Sequence, residues 1–152
     1  MSQSYGLTYA ALLRVVGLAS ACEGDGTTPA GVETVDDQGE ACLVDIDTAP
    51  YGTGVTLQAD TPVTVRVAFD ACAPCGENLQ SSCSIARSGS TLTVTATSSW
   101  EPVDDCTHEC RAWFAECESE ALEAGSYTLA YGPGAEAFEV PTTGAFVCAE
   151  GG

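Results

Sequence analysis

The sequence predicts a mainly β protein, an antiparallel β-sandwich of about eight short strands rich in disulfides, and three observations predict it. Apolar residues recur at every second position over several stretches, the period of a strand with one buried face. Between those stretches stand short clusters of Gly, Pro, Asp, Ser and Thr, the residues that set turns. Nine cysteines occur in 152 residues, and eight of them lie beyond residue 40. An even number of cysteines in a small exported domain reads as a disulfide framework.

The chain opens with a polar start, an apolar run and a small-residue exit. Leu12, Leu13, Val15, Val16 and Leu18 supply the hydrophobicity, and Ala19-Ser20-Ala21 precede Cys22. A membrane-spanning helix needs about 20 apolar residues. Arg14 interrupts this run, so residues 1–21 are expected to form a secretory signal peptide. The tetrapeptide Ala19-Ser20-Ala21-Cys22 resembles the lipobox of bacterial lipoproteins, with the leucine that family favours one place early, at Leu18. The resemblance implies lipidation of the Cys22 sulfur, cleavage before Cys22 and acylation of the new amine. It also implies a protein held to the membrane of the bacterial cell envelope by its lipid anchor, since two acyl chains hold stably where one is marginal. Glu23 stands where some lipoproteins carry the Asp that retains them in the inner membrane, so the outer membrane is the expected residence. The same small residues also fit ordinary cleavage after Ala21, which would release a secreted protein with one odd cysteine.

Residues 22–41 are rich in Gly, Thr, Asp and Glu and have almost no apolar periodicity. They are expected to be a flexible, solvated tether. A single folded domain is then expected over residues 42–152, a length that allows one core and not two.

Within the domain the clearest alternation places Val63, Val65, Val67 and Phe69 on one face of residues 62–69. Residues 91–98 alternate Leu92, Val94 and Ala96 with threonines. Weaker strands are expected at Leu43–Thr48, Val55–Ala59, Cys83–Ala86, Tyr127–Tyr131, Ala137–Val140 and Ala145–Cys148. Turn chemistry separates them at Pro50-Tyr51-Gly52, Asp60-Thr61-Pro62, Ser88-Gly89-Ser90, Gly132-Pro133-Gly134 and Thr142-Thr143-Gly144. One face apolar and one polar is the signature of antiparallel sheets with a solvated side. The run Leu122-Glu123-Ala124-Gly125-Ser126-Tyr127-Thr128-Leu129 resembles the strand entry of bacterial immunoglobulin-like domains, which implies an immunoglobulin-like sandwich.

One segment departs from this pattern. Cys106, Cys110, Trp113, Phe114, Cys117 and Ala121 follow one another at spacings of 4, 3, 1, 3 and 4. That is helical periodicity, with Asp104 or Asp105 as N-cap and Gly125 as stop. A short helical or loop insertion is therefore expected near 104–124.

Charge narrows the partners. The chain carries 22 acidic residues against four arginines and no lysine, a net charge of −18. Removing Arg14 with the signal leaves 22 acids against three bases, or −19. Phosphate backbones are bound by Lys and Arg displacing counterions, so nucleic acid is excluded as a partner. Solubility accounts for such a surface, and so does recruitment of cations or of a basic partner.

The disulfide candidates are Cys42, Cys72, Cys75, Cys83, Cys106, Cys110, Cys117 and Cys148. Sequence does not choose among their pairings. Cys42 and Cys148 bracket the domain, so joining them would clip its ends. The triplets 72/75/83 and 106/110/117 would then bond to each other. The same cysteines carry alternatives. Cys72-Ala73-Pro74-Cys75 follows a strong strand, as in thioredoxin-like proteins, but lacks the following helix that would stabilise a thiolate. Cys72 and Cys75, with a C-x3-C that holds His108 between Cys106 and Cys110, have tolerable zinc spacing in a reducing compartment. Asp36-Asp37, Asp45 with Asp47, and Asp104-Asp105 are the calcium candidates, and none sits in a recognised loop.

No catalytic constellation stands out. His108 is the only histidine, and there is no G-x-S-x-G and no phosphate-cradling Gly loop. Trp100 and Trp113 read as core anchors, or as ring faces for a glycan. The expectation is a non-enzymatic envelope binding or structural module with no cofactor and an unknown protein or glycan ligand. Its alternatives are a thiol-disulfide redox or zinc-binding protein using Cys72 and Cys75, and a glycan-binding module.

Overall fold

The structure, a computed structural model, describes residues 31–45, 54–69, 76–103, 113–144 and 146–152. These residues form eleven strands and no helix: β1 (Glu33–Asp36), β2 (Glu40–Val44), β3 (Thr56–Leu57), β4 (Thr64–Ala68), β5 (Gly76–Ser88), β6 (Thr91–Pro102), β7 (Phe114–Glu118), β8 (Gly125–Tyr131), β9 (Gly134–Val140), β10 (Thr142–Thr143) and β11 (Cys148–Glu150).

The first sheet is built around β6. One edge of β6 pairs with β5 in a long antiparallel hairpin. Its other edge is shared: β8 lies parallel to Thr91–Val94, and β1 lies antiparallel to Thr97–Trp100. β9 completes this sheet beside β8. The second sheet runs β11-β2-β4-β7, with every pair antiparallel. β3 and β10 form a separate two-stranded ribbon.

Turn chemistry places the hairpins. Gly89 and Gly132 take positive φ, 62° and 50°, at the first central position of the β5–β6 and β8–β9 turns. Glycine enters that conformation without a Cβ clash, and Pro133 after Gly132 fixes the second position.

The inner faces of the two sheets make one core. Val63, Val65, Val67 and Phe69 are all buried, as their alternation requires, and so are Leu92, Val94 and Ala96. The alternation in β6 continues through Ser98 to Trp100, both buried. The Ser98 hydroxyl donates to the Gln80 carbonyl at 3.0 Å, which satisfies the one polar group on that row. At one end of the core Trp113 packs edge-on against both Phe69 and Trp100, with ring centroids 5.5 and 5.6 Å apart.

Two devices hold the sheets in register. The Tyr127 hydroxyl donates to the Glu123 carbonyl four residues upstream at 3.0 Å, with Leu122 fully buried beside the turn. A tyrosine hydroxyl bonded back to the backbone of the turn before its own strand is a tyrosine corner, and it pins the entry to β8. The second is the β1–β2 crossover at Asp37–Gly39. Asp37 accepts from the Ala96 N–H through its side chain and donates its own N–H to the Ala96 carbonyl, both at 2.8 Å. The Gly152 N–H reaches the Asp37 carbonyl and the Tyr131 hydroxyl reaches the Gln38 carbonyl. Gly151 must be glycine there, because a Cβ would collide with the Asp37 carbonyl.

Two expectations need correction. The segment 22–41 is not tether throughout: β1 and the start of β2 fall inside it, and the fold begins by Glu33. Nor is the described part of 104–124 helical. Residues 114–118 are the strand β7, paired with β4, and Leu122 makes a bridge with Thr61. The rest of that insertion, 104–112, lies outside the described residues.

Candidate binding surface

Alternation in the second sheet sends one residue in two outward, and ladder register fixes which stand side by side. Three rows cross the sheet from β11 to β7. Glu150, Glu40, Ala68 and Phe114 make the first row, and Cys148, Cys42, Arg66 and Glu116 the second. In the third, Val44, Thr64 and Glu118 are in register. The Leu43 N–H donates to the Val147 carbonyl at 2.9 Å, which carries the ladder past β11 and sets Phe146 beside Val44.

Phe146 is 63% exposed and Phe114 50% exposed, the largest aromatic exposures among the described residues. Between these two corners run Val44, the Cys42–Cys148 disulfide, Ala68 and the stem of Arg66. The Arg66 guanidinium lies over the Phe114 ring at 4.7 Å and donates through Nε and Nη2 to Glu116 Oε1, at 2.9 and 2.6 Å. Two guanidinium donors on one carboxylate oxygen, with a ring beneath the cation, use both the planarity and the charge of arginine. An open cleft of about 460 Å³ follows this edge, lined by Val44, Thr64, Arg66, Glu116, Cys117 and Glu118.

The two disulfides among the described residues fall where sequence geometry pointed. Cys42 and Cys148 stand directly opposite on β2 and β11, their Cα atoms 4.1 Å apart. Leu43 and Val147 form the adjacent hydrogen-bonded pair, so this is the closer, non-hydrogen-bonded kind. Cys83 on β5 bonds Cys117 on β7 with Cα atoms 5.6 Å apart, joining the two sheets at their edges. Beside it the Ser81 hydroxyl donates to the Phe114 carbonyl at 3.0 Å.

Other candidates are placed as follows. Glu40, Cys42 and Cys148 bring three ligand-type atoms within 4.8 Å of one another, but both sulfurs are consumed in the disulfide and offer no thiolate to a metal. The Asp36 carboxylate accepts from the Thr97 hydroxyl at 2.7 Å, and Asp37 takes the Ala96 N–H midway along β6, between its β8-paired and β1-paired stretches. Both therefore serve the strand crossover. Trp100 and Trp113 are each only 7% exposed and face each other, so neither presents a ring to a glycan, which overturns that use of them. Trp113 Nε1 is buried and finds no acceptor among the described residues. Cys22, Cys72, Cys75, Cys106, Cys110, His108, Asp47, Asp104 and Asp105 lie outside the described residues. The outward face of β2, β4, β7 and β11 is what sequence reading missed. Its one signal was the opposite phase of Phe146 and Cys148 to Val147 and Ala149.

Comparison with protein-family models, with curated proteins and with solved structures finds no match to this chain.

Proposed function

We propose that this chain is an exported, lipid-anchored, non-enzymatic binding or structural module of the bacterial envelope. The observation that supports it most is the pair of disulfides. One joins directly opposed strands and the other joins the two sheets, so both belong to the architecture of the sandwich. Structural disulfides persist in oxidising compartments, and Ala19-Ser20-Ala21-Cys22 supplies a route there and an attachment. What the domain offers a partner is a stiff sheet face, with aromatic and carboxylate side chains held in fixed register.

Two measurements test the reading. The Cys22→Ser variant should leave the detergent phase for the aqueous phase in phase partitioning, and unchanged partitioning would rule out the anchor. Thiol counting on the denatured, unreduced protein should find none among the other eight cysteines. Two reactive thiols at Cys72 and Cys75 would replace this reading with thiol–disulfide exchange or zinc binding.

A further inference from the structure

We infer that the outer face of the second sheet binds a cationic amphipathic helix; the inference rests on the binding-module reading above and names its partner class. The rows described above set a largely apolar diagonal across the face, from Phe146 through Val44, the Cys42–Cys148 disulfide, the stem of Arg66 and Ala68 to Phe114. The two corners off that diagonal are acidic: Glu40 with Glu150 on one side, Glu116 with Glu118 on the other.

The first acidic corner is built against its own stability. Glu40 and Glu150 are directly opposed on β2 and β11, and neither has a cationic partner among the described residues. Like charges at opposed positions repel, and a cation laid between them removes the repulsion. At the other corner Arg66 neutralises Glu116, which leaves Glu118 as the net negative charge there and removes Arg66 as an obstacle to a basic partner.

The dimensions select a helix. Strand spacing and rise put Phe146 and Phe114 about 20 Å apart across the face. A helix of about 13 residues covers that length and presents an apolar stripe with basic residues on both flanks. The charge of −18 draws such a segment in from a distance. It also opposes a second copy of this chain, whose matching face would bring the same carboxylates together.

The test uses the full chain and a synthetic leucine–lysine peptide of about 14 residues, its leucines at helical spacing, beside a scrambled peptide of the same composition. Binding is read by fluorescence anisotropy, and helix formation by circular dichroism. The striped peptide should bind and gain helicity, and the scrambled one should bind at least about tenfold more weakly. Phe146→Ser should weaken binding about tenfold. Glu40→Gln and Glu118→Gln should each weaken it about threefold and flatten its salt dependence. Glu136→Gln and Glu139→Gln on β9 should leave it unchanged. Equal affinity for the scrambled peptide would overturn the inference, as would indifference to Phe146→Ser. Self-association that Phe146→Ser dissolves would overturn it in favour of a second copy. None of these failures touches the partitioning of Cys22→Ser, so the anchor and the partner fail separately.

Discussion

On the first sheet the outward positions along most of the β5–β6 hairpin are Ser82, Ser84, Ala86 and Ser88 facing Thr97, Thr95, Thr93 and Thr91, with Leu79 exposed at the bulge beyond them, whereas on the second they include Phe114, Phe146, Arg66, a disulfide and four glutamates. Inward, the sheets follow one rule. Leu92, Val94 and Leu129 from the first meet Leu43, Val65 and Val67 from the second, and all six are essentially inaccessible. Burial of apolar area drives both inner faces alike. The outer faces are free of that demand, so their difference marks what each sheet does toward solvent. The first carries small hydroxyls that hydrogen-bond one another, as Ser84 and Thr95 do at 2.9 Å. The second keeps large apolar groups in water, which costs free energy unless something covers them.

The sharpest way to break this comparison is through the disulfides. Chain entropy assigns about 5 kcal/mol to a crosslink separated by 106 residues and about 4 kcal/mol to one separated by 34. Cys42→Ser with Cys148→Ser should therefore lower the denaturant midpoint more than Cys83→Ser with Cys117→Ser. The reverse order would mean that the join between sheets matters more than the clip within one. Next in size, Leu43→Ala and Leu92→Ala test the two inner faces. Each should cost about 3 kcal/mol in equilibrium unfolding, and a gap between them above about 2 kcal/mol would end their equivalence. Smallest, Thr93→Ala and Phe146→Ser should each shift stability by no more than about 0.5 kcal/mol. Only the second should alter peptide binding.

How much of this was legible in the sequence depended on burial. Val63–Phe69 and Leu92–Ala96 alternate because one face is fully covered, and the core imposes that phase on the chain. β1 escaped because its only apolar residue is Val35 and most of it is exposed, so nothing in its composition separates it from a tether. The sequence predicts a helical or loop insertion over β7 for a definite reason. Trp113 and Cys117 are four residues apart, and an even spacing of four fits one face of a helix and one face of a strand equally well. Phe114 and the cysteines before it add spacings that fit only a helix. In the structure Phe114 points outward, while Trp113, Ala115 and Cys117 turn inward. The exposed face of the second sheet was illegible for a related reason. Its residues become neighbours only through register between strands distant in sequence, and no local pattern records that.

The order of β1 and Cys42 along the chain has a mechanical consequence. A pull applied ahead of Glu33 meets β1 first and peels its four paired residues from β6 one at a time. Freeing the chain from Glu33 to Ala41 also opens the crossover and the first two pairs of β2, and the freed chain spans at most about 30 Å. The load then arrives at Cys42, where a covalent bond to Cys148 hands it to the opposite strand. β1 is thus a shock absorber in series with a rivet, and tension that consumes the strand and its crossover stops at the covalent bond.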